Sequence, residues 1–297
     1  MPVAHRHAGL AAVVLGTLVV AALVVAGVFV LRDEPTVDPD RATATSAVGE
    51  RVNRDGGTIR ALALGPVLTW DPQRLASRDD IAFAGRVFAR TLTAYAPNVD
   101  PDAQDRLVGD LATDTGTASD DLKTWSFTLR EGILWQDGTP VTCADVAYGI
   151  SRSFASKDLP GGSTDALAVL AIPRQANGTS TYAGPYATGP AAAAGQAAFD
   201  KAVSCVGQKL TFTLSTPLGD FNELVSQPAF GPVKKSVDKG PEGVYEVFSA
   251  GPYVLEKPWV PGEGGTFVRN PHWARSADPG RRAHPERIEY VEGTDIQ

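Results

Sequence analysis

Two short stretches alternate between apolar and polar positions with the period of a half-buried strand. Trp125, Phe127 and Leu129 point one way and Ser126, Thr128 and Arg130 the other; Leu210, Phe212 and Leu214 alternate in the same manner with Thr211, Thr213 and Ser215. Residues 58–64 read as a further strand, stopped by Gly65-Pro66, and strands are also expected at 253–256, 265–269 and 287–291. Over 77–95 the period changes: Ile81, Ala84, Phe88 and Leu92 fall on one helical face, with Ser77 and Asp80 at the spacing of a capping box. Asp137-Gly138-Thr139-Pro140 forms a turn, and Thr142, with Asp145 three residues on, starts a helix that buries Val146, Ile150 and Phe154. The stretch 161–195 is rich in Ala, Gly, Thr and Pro, with Tyr182 and Tyr186 set into it, and reads as a long irregular segment, either a functional loop or a disordered insertion. Strands and helices are intermixed, the pattern of an α/β or α+β lobe.

Ahead of this pattern lies a segment with no polar face at all. From Ala8 to Leu31 about 24 residues run without a charge, enough for a helix to cross the hydrocarbon core of a bilayer. Arg6 precedes the run, while Arg32, Asp33 and Glu34 follow it; the placement of Arg6 favours a cytoplasmic N-terminus and an exported remainder, a bias that Arg32 dilutes. Small residues around Ala21, Ala22 and Ala26 leave signal cleavage as the alternative to an uncleaved anchor; no Cys ends the run, so a lipid-modified bacterial N-terminus is excluded. The expected organisation is a signal-anchor over 1–31, a polar Asp-, Pro-, Thr- and Ser-rich linker over 32–57 and a folded region over 58–297.

Composition narrows the function classes. A formal charge of −7 gives no general attraction for nucleic acid or anionic lipid. No G-x-S-x-G, H-E-x-x-H, P-loop or G-x-G-x-x-G pattern occurs, and the four histidines (His5, His7, His272 and His284) have no zinc spacing. Asp79-Asp80 and Asp120-Asp121 read as solvated or helix-start charges rather than acid/base pairs. An enzyme is therefore not expected, nor any cofactor. The two cysteines, Cys143 and Cys205, lie far apart in sequence; in an oxidising compartment they pair as a disulfide closing roughly 60 residues, and otherwise they are two buried thiols.

Residues 125–146, WSFTLREGILWQDGTPVTCADV, resemble the signature W-x-F-x-L-R-x-G-x-x-F-x-D-G-x-P-x-T-A-x-D-V of family 5 bacterial solute-binding proteins, the oligopeptide, dipeptide and nickel receptors of ABC importers. The departures are Trp135 for Phe and Cys143 for a small residue. Gly251-Pro252-Tyr253 resembles the family's G-P-Y, Arg269-Asn270-Pro271-His272-Trp273 its R-N-P-x-Y-W, and 227–233 its segment before a proline-marked turn. The resemblance implies a class II periplasmic-binding-protein-like fold with ligand held between two lobes. Residues 58–297 would supply the first lobe, and the second lobe has no counterpart in them. It further implies an extracytoplasmic receptor that captures a peptide or similar small solute and delivers it to an ABC permease. The alternative is a membrane-tethered interaction module, truncated or without transport function, built from the same lobe.

The ligand site is less legible. The turn after the first strand, 65–70, lies where a sheet edge commonly faces a cleft, which selects Thr69 and Trp70; Gln227 and Phe230 are candidates for the wall, and Tyr182 or Tyr186 for a cover. Arg130, Asp137 and Asp145 are expected to hold turns and helix ends, and Trp125, Phe127 and Leu129 to pack a core.

Overall fold

The computed structural model describes residues 55–63, 65–95 and 104–293. The expected membrane segment 1–31 and most of the linker fall outside the described residues. Among the described residues no helix is long and apolar enough to cross a membrane.

Two sheets carry the structure. The first consists of β1 (Thr58–Ala63), β8 (Tyr253–Leu255), β9 (Gly264–Arg269) and β10 (Arg287–Glu292), in the order β1-β10-β9-β8. The β1–β10 pair is parallel, from Thr58 opposite Arg287 to Ala63 opposite Glu292, and the remaining pairs are antiparallel. In β10 the alternation is complete: Ile288, Tyr290 and Glu292 are buried, whereas Arg287, Glu289 and Val291 are only partly so. Helix α1 (Arg78–Val87) and its neighbours contribute to the core of this sheet, where Trp70, Phe83, Phe88, Trp259, Phe267 and Tyr290 form one aromatic cluster. Trp70 is fully buried, and its ring lies edge-on to Phe88, Trp259, Phe267 and Tyr290 at centroid separations of 5.0–6.3 Å.

The second sheet is antiparallel, in the order β4-β5-β7-β6, with β4 (Thr117–Ala118), β5 (Thr124–Thr128), β6 (Val203–Val206) and β7 (Lys209–Thr213). The register opposes Trp125 to Phe212 and Phe127 to Leu210, so the apolar positions read from the sequence meet across the strand pair. Helix α2 (Cys143–Arg152) packs on this sheet through Val146 and Ile150; its Thr142–Asp145 capping box is formed in both directions. A short ladder of β2 (Thr93–Tyr95) and β3 (Leu107–Gly109) lies beside it.

Three expectations change. The helix expected over 77–95 stops at Val87, because Thr93 is drawn into pairing with Gly109; Phe88 and Leu92 are still buried, but in different cores. The irregular stretch 161–195 holds α3 (Asp165–Val169) and the start of α4 (Pro190–Ala202), an alanine-rich helix opened by Pro190 at its first turn. Within it Tyr182 is no cover: it is buried against Phe154 and Phe199, and its hydroxyl donates to Gln196 Oε1 at 3.0 Å. Asp80 is a helix-start charge, in the first turn of α1, and it is buried there; burial pushes its carboxyl up, against hydrogen bonds from Ser77 and Tyr290.

Cys143 and Cys205 are joined, with Cα atoms 5.9 Å apart, and tie the first turn of α2 to β6.

Candidate functional site

The cleft begins with the end of β10. Glu292, buried there, accepts the Val67 N–H at 2.7 Å through Oε1 and the Gly262 N–H through Oε2, fixing the segment that leaves β1. Thr69 then donates to the Val244 carbonyl at 2.8 Å and accepts the Asp71 N–H at 3.0 Å, while the Trp70 N–H donates to the same Val244 carbonyl. In this way 67–73 is tied to a loop over 231–248, which contains two single 3-10 turns, Lys235–Val237 and Gly240–Glu242. Between them opens a cleft, partly open to solvent, with Trp70, Phe88, Trp135, Val237 and Phe248 among its apolar lining.

Behind one wall sits Arg152, the last residue of α2. Its guanidinium makes a bidentate pair with Asp71 (Nη1–Oδ1 and Nη2–Oδ2, both 2.8 Å), donates from Nη1 to Gln73 Oε1, and reaches Tyr186 Oη at 2.8 Å and Asp238 Oδ2 at 3.2 Å through Nε. Tyr186 and Tyr148 both donate to that same Asp238 oxygen, at 2.6 and 2.7 Å. Arg152, Asp71 and Gln73 are buried, so the cluster exchanges little with water. Burial works against the Arg152 charge, but the hydrogen bond and charge of Asp71, with help from Tyr186 and Asp238, outweigh it and hold the guanidinium protonated. Burial likewise pushes the Asp238 carboxyl up, yet the two tyrosine hydrogen bonds and the Arg152 charge leave it below the usual carboxylate range. The Tyr186 hydroxyl is pushed up to about 12, first by burial and then by its bond to Asp238.

The local sequence explains why these groups meet. α2 approaches the 231–248 loop at Gly149, where any Cβ would overlap the Gly231 carbonyl oxygen, so only glycine permits the contact. That contact brings the last turn of α2 up to Asp71 on one side and Asp238 on the other.

Every other charge on the cleft is paired as well. Arg90 bonds Asp110 (Nε–Oδ1, 2.8 Å), which also receives Arg281 at 3.0 Å; burial opposes the Asp110 charge, but the two arginines hold its carboxyl far below the usual range. Lys234 bonds Asp137 and Thr139 and lies 5.4 Å from the Phe248 ring centroid, and Lys239 pairs with Glu246 at 2.6 Å. With its charges answered internally, the wall offers apolar surface to an occupant chiefly at Val237 and Phe248, backed by the buried Trp70, Phe88 and Trp135. Among the described residues no group of three or more His, Cys, Asp or Glu is placed to hold a metal.

The structure scatters the candidates chosen from sequence. Trp70 lines the cleft from below while belonging to the aromatic core. Thr69 is buried and pins the cleft segment, and Tyr186 stands behind the wall in the Arg152 cluster. Phe230 is not on the wall: it is fully buried, 6.0 Å from the Phe221 ring, and Gln227 precedes it at the start of a 3-10 turn outside the cleft. Arg130, Asp137 and Asp145 do hold turns and a helix end, Arg130 by donating to the Ala112 and Thr113 carbonyls. Sequence reasoning missed Arg152, Asp71 and Asp238; an Arg and an Asp flanking apolar core positions are the signal that was available.

The description of bacterial extracellular solute-binding proteins, family 5 middle, matches residues 106–295, well over half of the chain. The chain belongs to this family of extracellular solute-binding proteins. This family 5 chain is 32% identical over 158 residues to the periplasmic oligopeptide-binding protein OppA of Salmonella typhimurium, covering 52% of this chain and 26% of that protein. It is 31% identical over 169 residues to the periplasmic murein peptide-binding protein MppA of Escherichia coli, covering 52% and 27%. Among solved structures, clavulanic acid biosynthesis oligopeptide binding protein 2 superposes with a TM-score of 0.72 at 33% identity, over 82% of this chain and 42% of that one. The Escherichia coli MppA structure superposes with a TM-score of 0.58 at 24% identity, over 79% and 42%, a likeness of fold. The family 5 chain thus spans less than half the length of the relatives it matches. The mixed α/β fold is that of the periplasmic-binding-protein-like structures.

Proposed function

We propose that residues 58–297 form the first wall of a hinged, two-lobed ligand trap, held outside the cell by the apolar segment 8–31, and that it captures peptides for an ABC importer without catalysing a reaction. The observation that carries this reading is the cleft: an apolar wall of Trp135, Val237 and Phe248 whose neighbouring charges are all paired. Such a surface holds a solute by burial and shape, and it supplies no unpaired acid, base or nucleophile. Membership of family 5 and the likeness to oligopeptide-binding proteins support peptide as the solute class. Closure of a second lobe over the same wall would exclude water and shift the open–closed equilibrium toward the liganded state.

The alternative reading, an interaction module, is favoured by one feature: β1 is bonded to a single neighbour, and its Ile59 and Leu62 are 52% and 67% exposed. Calorimetric titration of the full chain in neutral detergent with di-, tri- and oligopeptide pools separates the two. Peptide capture predicts binding to at least one pool. It also predicts that Val237→Arg, which places a long charged side chain in the cleft at an exposed position, weakens that binding tenfold or more, about 1.4 kcal/mol, with the melting temperature unchanged. Absence of heat and of thermal stabilisation with every pool rejects peptide capture and leaves the interaction module.

A further inference from the structure

Away from the cleft, a second cavity, open to solvent, collects positive charge in a chain whose formal charge is −7. Arg269, Arg275 and Arg282 line it, together with one carboxylate, Asp55; three guanidinium groups against one carboxylate leave an excess of two positive charges. Its floor is fixed. Asn270 is buried, donates to the Gly251 carbonyl at 2.9 Å and accepts the His272 N–H at 3.0 Å, and the Trp273 indole donates to Asp278 at 2.9 Å. Arg269 is braced by the His284 and Pro285 carbonyls at 2.6 and 3.1 Å, and Asp55 is engaged by His284 Nδ1 at 2.7 Å. The guanidinium groups of Arg275 and Arg282, by contrast, have no hydrogen bond or ion pair among the described residues and are exposed. Where arginines line the cleft, carboxylates bond them directly; here Asp55 lies near enough to Arg269 and Arg275 to be stabilised by their charge, but among the described residues no side chain bonds Arg275 or Arg282.

We infer that this cavity binds a phosphate group, with the forked donors of Arg275 and Arg282 taking its oxygens beside Trp273. Arginine suits this role because its planar donors match phosphate oxygens in pairs. Two sources carry that chemistry, an anionic lipid headgroup and free phosphate. The arms of the experiment below distinguish them.

The test is calorimetric titration of the full chain in neutral detergent with inorganic phosphate, dihexanoyl phosphatidylglycerol or dihexanoyl phosphatidylcholine, for wild type and for the Arg275→Gln/Arg282→Gln double variant. Both substitutions are at exposed positions, and an unchanged circular dichroism melt verifies the fold. The expected result is binding of phosphatidylglycerol that exceeds phosphatidylcholine at least tenfold and falls at least tenfold in the double variant. Equal, arginine-dependent binding of inorganic phosphate upholds the site and makes free phosphate its source. No binding of either anion, or binding that the double variant leaves intact, overturns the inference. Because neither arginine lines the peptide cleft, that outcome is distinguishable from a failure of peptide capture.

Discussion

Replacing Arg152 with methionine is expected to lower the unfolding free energy by about 3–5 kcal/mol, the range found when one partner of a buried ion pair is removed. Methionine approximates the length of the arginine stem, so the loss comes chiefly from charge and hydrogen bonding rather than from a cavity. Asp71, buried, would lose both bonds of its bidentate pair, and Gln73 Oε1 would lose its donor. Asp238 would keep its two tyrosine donors and its Gly240 N–H but lose the cation that stabilises it. The consequence reaches the cleft, because Asp238 sits on the 231–248 loop that forms one wall. Urea unfolding followed by tryptophan fluorescence checks the prediction. A loss under 1 kcal/mol would show that the cluster is solvated and does not hold the wall.

The second large effect is expected at the other end of the same helix. Cys143→Ser with Cys205→Ser opens a loop of 62 residues, and chain entropy alone sets the expected loss at about 4 kcal/mol. Cys143 begins α2 and Arg152 ends it, so the disulfide ties one end to β6 while the ion pairs tie the other to the cleft. With about 13 Å of helix between them and no shared partner, the two losses are expected to add. Comparing urea midpoints of oxidised wild type, reduced wild type and the double serine variant isolates the bond. If the serine variant matches oxidised wild type within 1 kcal/mol, the bond contributes nothing to this lobe.

What the sequence made legible follows from the range of the interactions. Strands β5, β7 and β10 and the caps of α1 and α2 rest on neighbours two to four residues apart, and each is found where its period or cap placed it. The family signature over 125–146 is the strand, turn and capped helix that the resemblance implied. Helix α4 was lost in an Ala- and Gly-rich stretch with no apolar period, although Pro190 followed by four alanines has high helix propensity from the first turn onward. The cleft was harder for a different reason. Arg152 meets Asp71 across 81 positions, and nothing local in either segment announces the other. Phe230 illustrates the complementary error: an aromatic residue in a Pro- and Gly-flanked turn suits a ligand wall or a core equally, and only packing against Phe221 decides for the core.

The central claim is that the 67–73 segment and the 231–248 loop together form the surface that holds a peptide. Hydrogen exchange of the full chain, with and without a saturating tripeptide pool, tests it most directly. The expected result is slowed exchange of amides in 67–73 and 231–248, with β5 and β7 unchanged because they are already protected inside the second sheet. Unaltered exchange in both cleft segments, or protection confined to residues far from them, would contradict it.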